Sequence, residues 1–132
     1  MPAETPPTIH LKDYAPPEQA ILHVRLLVSL HPTATHITSA LKIEPRQMAP
    51  LVLHGENLEL VSLQIDGDVL KPDAFTYEND LLTIRQVPSH SFTLTIEQRC
   101  NPQANTALSG LYLSTGICCT QMEAEGFRRF AF

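Results

Sequence analysis

The sequence predicts an all-β protein: an antiparallel β-sandwich or saddle of short strands with a short C-terminal helical turn. Three observations carry that expectation. Apolar residues recur at period two rather than 3.6, turn residues separate the short runs, and no long helical pattern occurs before residue 120. Tryptophan is absent and aromatics are few, so the core must be mostly Leu, Ile and Val, and β-branched residues favour strands.

Residues 1–17 hold five prolines (Pro2, Pro6, Pro7, Pro16 and Pro17) and little apolar material, which predicts an extended, flexible lead-in. From Ile21 the pattern changes. Leu22, Val24, Leu26, Val28 and Leu30 place five apolar side chains on one face, against His23, Arg25 and Ser29 on the other, broken by Ile21 and Leu27. That is a strand with one face expected in a core. His31-Pro32-Thr33-Ala34 turns the chain into a second strand, where Ile37, Leu41 and Ile43 alternate with His36, Thr38 and Lys42. The two should pair as a hairpin, with His23 and His36 facing each other across it.

The same design repeats downstream. Leu51–Leu53 is a short strand closed by His54-Gly55-Glu56-Asn57, and Leu58–Ile65 is strand-like but alternates less cleanly. Asp66-Gly67 is a type I′ hairpin signal. Short pieces at Val69–Leu70 and Phe75–Tyr77 precede a turn at Glu78-Asn79-Asp80 and a strand over Leu81–Gln86. In Ser91–Arg99, Phe92, Leu94 and Ile96 alternate with Thr93, Thr95 and Glu97, the clearest strand of the second half.

A chain of 132 residues with 43% hydrophobic content is enough for one domain with a real core. Fourteen acids against nine bases give a net charge of −5, with no basic density for nucleic acid. No apolar run approaches the roughly 20 residues that span a bilayer, so no membrane role is expected. Met1–Pro7 lacks the charged and apolar regions of a secretory signal. Cys100, Cys118 and Cys119 form an odd set with two neighbours in sequence, which fits reduced structural thiols and a cytoplasmic location.

The informative stretch begins at Asn105-Thr-Ala-Leu-Ser-Gly110-Leu-Tyr-Leu-Ser and continues with Cys119-Thr-Gln121-Met-Glu-Ala-Glu125-Gly-Phe-Arg128-Arg. It resembles a segment of the aminopeptidase N family of zinc aminopeptidases, in particular the bacterial alanyl aminopeptidases. There the chain reads Asn-Thr-Ala-Leu-x-Gly-Leu-Tyr and then Cys-Thr-Gln-Cys-Glu-Ala-Glu-Gly-Phe-Arg. Leu53-His-Gly-Glu-Asn-Leu-Glu-Leu-Val-Ser62 is similar to a second family stretch, and Asp13-Tyr14 with Pro16 to a third. The likeness runs from residue 12 to residue 129.

The resemblance implies a role. Glu123 would hold the free α-ammonium of a peptide substrate, and Gln121 would line the first specificity pocket. A carboxylate in a partly dehydrated cleft pairs with an ammonium far better than in bulk water. Fixing that ammonium also places the first peptide carbonyl over the metal. By resemblance, small or basic first residues are favoured. Met122 stands where the family commonly has Cys, which alters the pocket's detail. Without the resemblance, Glu123 and Glu125 read as solvated acids at a helix start, Glu125 as an i,i+3 partner for Arg128, and Gly110 as a bulge or close approach.

Family members bind one zinc ion through His-Glu-x-x-His plus a downstream Glu. None of the six histidines has a second four residues on, and no His-Glu pair occurs. No catalytic or metal-ligating residue is therefore assigned, and no cofactor is expected in this chain. The family's β-domain runs on past residue 132. The implied organisation is a domain over residues 18–132, truncated before its last strands and before the catalytic zinc domain that would be its partner. Uncovered sheet edges would then favour self-association. Two readings stay open beside this one: a freestanding β-sandwich binding module, and a non-catalytic subunit of a split aminopeptidase. A Gly-x-Met-Glu-Asn and a His-Glu-x-x-His downstream in the reading frame would exclude both. Elemental analysis of the purified chain is expected to find no stoichiometric zinc; one zinc per chain would contradict this assignment.

Overall fold

Among the residues that the computed structural model describes (8, 10–123 and 126–132), ten β-strands follow one another in antiparallel ladders. They are β1 (Gln19–Ser29), β2 (Thr35–Pro45), β3 (Leu51–His54), β4 (Glu59–Ile65) and β5 (Asp68–Val69). β6 (Phe75–Glu78), β7 (Leu81–Ile84), β8 (Phe92–Cys100), β9 (Gly110–Ser114) and β10 (Ile117–Gln121) complete the set. The expected helical turn near the C-terminus is a 3-10 turn at Gly126–Arg129. In the lead-in, residues 8 and 10–17 are exposed and carry one 3-10 turn, Leu11–Asp13. Residues 1–7 and 9 lie outside the described residues, and so does Glu125 with its expected Arg128 contact.

The strands form three sheets, in the orders β1-β2-β8-β4-β5, β3-β7-β6 and β10-β9. Tight turns set the registers. Asp66-Gly67, Asn79-Asp80 and Thr115-Gly116 all have positive φ, the left-handed backbone of two-residue hairpin loops, and join β4 to β5, β6 to β7 and β9 to β10. The uneven alternation of the fourth strand has a cause: its register against β8 shifts between Leu60 and Ser62, so one extra residue breaks the period.

The main core lies between the five-stranded and three-stranded sheets. Leu41, Ile43, Leu63, Phe92, Leu94 and Ile96 from the first meet Leu51, Leu53, Leu82 and Ile84 from the second. A second cluster gathers Ile37, Leu111, Phe130 and Ala131 beneath the β9–β10 hairpin. Polar groups that enter these layers are satisfied. Gln98, fully buried, donates to Ser39 Oγ at 3.1 Å and accepts from the Phe132 amide at 3.4 Å. Thr35, fully buried too, donates to the His31 carbonyl at 2.8 Å, which closes the first hairpin.

β1 departs from expectation. It pairs with β2 along the predicted hairpin, but Leu22, Val24, Val28 and Leu30 are 55, 46, 37 and 58% exposed, and only Leu26 packs against a core cluster. Val24, Leu26 and Val28 stand opposite Leu41, Ser39 and Ile37, which are buried, so they lie on the core side of the sheet. The covering layers stop at β2 and leave this outermost strand as an apolar shelf. The histidine pair is corrected as well: the hairpin pairs Ser29 with His36, and that register sets His23 opposite Lys42, six residues along the strand. His36 Nε2 instead lies 3.8 Å from Glu97 on β8.

These two strands should respond differently to truncation. Leu94→Ala in β8 is expected to cost about 2–5 kcal/mol in urea unfolding, while Leu27→Ala on β1, where Leu27 is 72% exposed, changes stability by less than about 0.5 kcal/mol. Equal losses would mean that β1 is covered.

Candidate functional site

The β9–β10 hairpin presents the residues of the informative stretch. Gln121 ends β10 opposite Gly110 and is exposed; Glu123, two residues on, is exposed in the turn that follows. Met122 between them is half-buried and packs against the Ile37, Leu111, Phe130 and Ala131 cluster. Met122 is thus anchored inward at the strand end while its polar neighbours on either side stay exposed. Among the described residues no cation of this chain pairs with Glu123.

The segment after the hairpin holds this geometry. The Gly126 amide donates to the Met122 carbonyl at 2.9 Å. A Cβ at position 126 would sit 2.1 Å from the Gln121 carbonyl oxygen and 3.1 Å from Ser109 Oγ, closer than packed atoms approach. Gly110, with φ +78°, meets the same constraint from below: a Cβ there would lie 2.6 Å from Arg129 Cβ and 3.1 Å from the Gly126 carbonyl oxygen. Two glycines thus let three backbone segments meet where Gln121 begins. The close approach expected at Gly110 is present.

Side chains then tie the segment to the sandwich. Arg129 Nε lies 3.0 Å from Glu56 Oε2, both side chains about three-quarters buried (28 and 25% exposed), and the Glu56 amide donates to the Arg128 carbonyl at 2.8 Å. Before the hairpin, Asn105 Nδ2 donates to the carbonyls of Ser109 and Leu111 at 2.7 and 2.8 Å, and its Oδ1 accepts from the Ala107 amide. That closed loop carries Leu108 at positive φ and delivers the chain to Gly110.

A cleft of about 380 Å³ opens beside these contacts, lined by residues that include Glu56, Asn57, Cys100, Asn101, Asn105 and Arg129. Gln121 and Glu123 do not line it. Burial pushes the Cys100 thiol above its ordinary value, the opposite of what a reactive thiolate needs. Burial likewise raises Tyr77, partly offset by a backbone hydrogen bond at Leu58; its hydroxyl donates to the Gly55 carbonyl at 2.7 Å. All three cysteines are free thiols. Among the described residues no three His, Cys, Asp or Glu side chains come together to hold a metal ion, so the donor set does not fit zinc. The described helices include none long and apolar enough to cross a membrane.

The two residues that the sequence picks out, Gln121 and Glu123, are therefore both exposed, one at the end of β10 and one in the turn that follows. The sequence assigns no role to Glu56, Arg129 or Gly126, although all three fall inside the stretches quoted above. An ion pair between distant chain segments leaves no local pattern to read.

No protein-family model matches the chain. It is 42% identical over 134 aligned positions to aminopeptidase N of Caulobacter vibrioides, covering 100% of this chain and 15% of that protein. Aminopeptidase N of Escherichia coli is 37% identical over 131 positions, covering 98% of this chain and again 15% of the relative. Among solved structures, Legionella pneumophila aminopeptidase A in complex with aspartic acid is similar at a TM-score of 0.80 and 32% identity, over 90% of this chain and 14% of that one. A zinc metallopeptidase of Deinococcus radiodurans, bound to a Tyr-Ser-Ala substrate, has a TM-score of 0.70 at 15% identity, over 86 and 28% of the two chains; that likeness is one of fold alone. The chain thus spans about 15% of the length of the curated relatives it matches.

Gly126→Ala is expected to force the Gln121 carbonyl aside and cost about 1–3 kcal/mol in chemical unfolding, with the amide signals of Gln121–Glu123 displaced in NMR spectra. An alanine variant with unchanged stability and unchanged signals there would remove the clamp.

Proposed function

We propose that this chain, an amino-terminal β-domain of the aminopeptidase N family, supplies the substrate-recognition edge of a zinc aminopeptidase that removes amino-terminal residues from peptides. Glu123 is the proposed anchor for the substrate α-ammonium, and Gln121 the proposed polar wall of the pocket for the first side chain. One observation supports the reading: in the contiguous Cys119–Arg129 stretch that resembles the family motif, Gln121 and Glu123 are both exposed.

The division of labour follows from the chemistry present. This chain offers a carboxylate and a carboxamide for binding and register, and no metal site among its described residues. The zinc that polarises the peptide carbonyl and activates water would be held by the catalytic domain of the same enzyme, outside this chain. The chain by itself is accordingly proposed to be non-catalytic. Packed against that domain, the edge would lose water, and the Glu123–ammonium attraction would strengthen as the local dielectric falls. Met122 in place of the family's Cys keeps a polarisable apolar contact toward the core cluster. The free thiols fit a reducing compartment, and the cytoplasm is the proposed location.

The reading is tested in a chimera in which this chain replaces the matching segment of the Caulobacter relative. Glu123→Gln is expected to lower kcat/KM on free peptides by about 30- to 1,000-fold, the ~2–4 kcal/mol of a lost charge pair, with thermal stability unchanged. Unaltered kinetics would remove Glu123 from substrate recognition.

A further inference from the structure

Residues 128 and 129 are gripped twice by one residue. The Glu56 amide donates to the Arg128 carbonyl at 2.8 Å, and the Glu56 carboxylate lies 3.0 Å from Arg129 Nε. The first contact holds backbone and the second a side chain, so the segment can neither slide nor rotate without breaking one of them. At 25 and 28% exposure the two charges are largely out of water, which strengthens their attraction and makes an unpaired partner costly.

Glu56 itself stands on a fixed support. Its neighbour Gly55 is buried, donates its amide to the Asp80 carbonyl at 3.0 Å, and accepts at its carbonyl from the Tyr77 hydroxyl at 2.7 Å. Both partners belong to the β6–β7 hairpin, so the grip is anchored in the three-stranded sheet.

On its other side the gripped segment bears on the β9–β10 hairpin. Arg129 Cβ and the Gly126 carbonyl oxygen fill the space over Gly110 where a side chain would stand, and Gly110 is the ladder partner of Gln121. Gly126 in turn closes on the Gln121 carbonyl and donates to the Met122 carbonyl at 2.9 Å. A continuous run of contacts thus joins the three-stranded sheet to the backbone that carries Gln121 and Glu123.

We propose that Glu56 and Arg129 are positioning residues for Glu123: their ion pair sets the backbone register of residues 121–123, and with it the place of the carboxylate against the substrate α-ammonium. The inference rests on the role proposed above for Glu123 and adds the pair through which that role is set. Both residues act through Glu123 rather than on the substrate, so their contribution disappears when Glu123 has no charge to place.

A double-mutant cycle in the chimera with the Caulobacter relative tests this. Glu56→Gln keeps the backbone amide and the side-chain length and removes the charge. It is expected to lower kcat/KM by ~10- to 100-fold, the scale of a misplaced binding group. Added to Glu123→Gln it should cost less than ~3-fold more, because the two substitutions then break one function. Arg129→Met should match Glu56→Gln, and Arg129→Lys, which keeps a cation for the single contact, should stay within ~5-fold of the parent. In the chain itself, Glu56→Gln should displace the amide signals of Gln121–Glu123.

Losses that multiply in the double variant overturn the proposal, since Glu56 would then act independently of Glu123. So does unaltered kcat/KM in Glu56→Gln, or a loss fully accounted for by a smaller folded fraction in circular dichroism. Should Glu56→Gln fail to fold, Glu56→Asp, which shortens the arm by one methylene, decides through the same cycle. The two readings separate cleanly. A Glu123→Gln effect without coupling to Glu56 removes only the positioning role, whereas unaltered kinetics in Glu123→Gln alone removes both.

Discussion

The placement of the candidate site depends on the insertion of one short segment, residues 126–132, into the open end of the sandwich. Phe132 enters the main core, where its ring meets Tyr77 edge-on at a centroid distance of 5.0 Å and its amide donates to Gln98. Phe130 and Ala131 fill the second cluster, directly beneath the β9–β10 hairpin. The same seven residues carry Gly126 against Gln121 and Arg129 against Glu56. Both hydrophobic clusters and the strand end that carries Gln121 are therefore stitched by a single stretch of chain. Removing apolar surface from water holds it there, and the Glu56–Arg129 pair fixes its register.

That constraint explains why a polar pair can stand exposed and still be ordered. Met122 is the inward anchor, Gly126 and Gly110 permit the backbone to close over it, and Gln121 at the end of β10 and Glu123 in the turn beyond it are both left exposed. A recognition group on a hairpin end works only if its position is set before the ligand arrives, because ordering it afterwards would subtract from binding. An exposed carboxylate that pairs with no cation among the described residues suits the proposed capture of a positive group. It does not suit bond cleavage, which needs an activated nucleophile or metal. The proposed division of labour, recognition here and chemistry elsewhere, rests on that carboxylate and carboxamide.

The β1 shelf is the counterpart of this well-packed end. Among the described residues nothing in the second layer reaches across β2, and the apolar side chains of the outermost strand are largely exposed.

The strands, most of their turns and the motif were legible in the amino-acid order, because alternation at period two, Asp66-Gly67 and the Gln121–Glu123 spacing are local properties of the chain. Alternation states which side of a strand is apolar, and for β1 it chose the core side of the sheet correctly through Val24, Leu26 and Val28. It carries no information on whether a second layer extends that far. Only the tertiary structure decided that β1 stays uncovered, that Phe130–Phe132 lie within the core, and that Arg129 meets Glu56. Each of these depends on segments far apart in the chain coming together, and the free energy of burial is set by the completed packing rather than by any one stretch of residues.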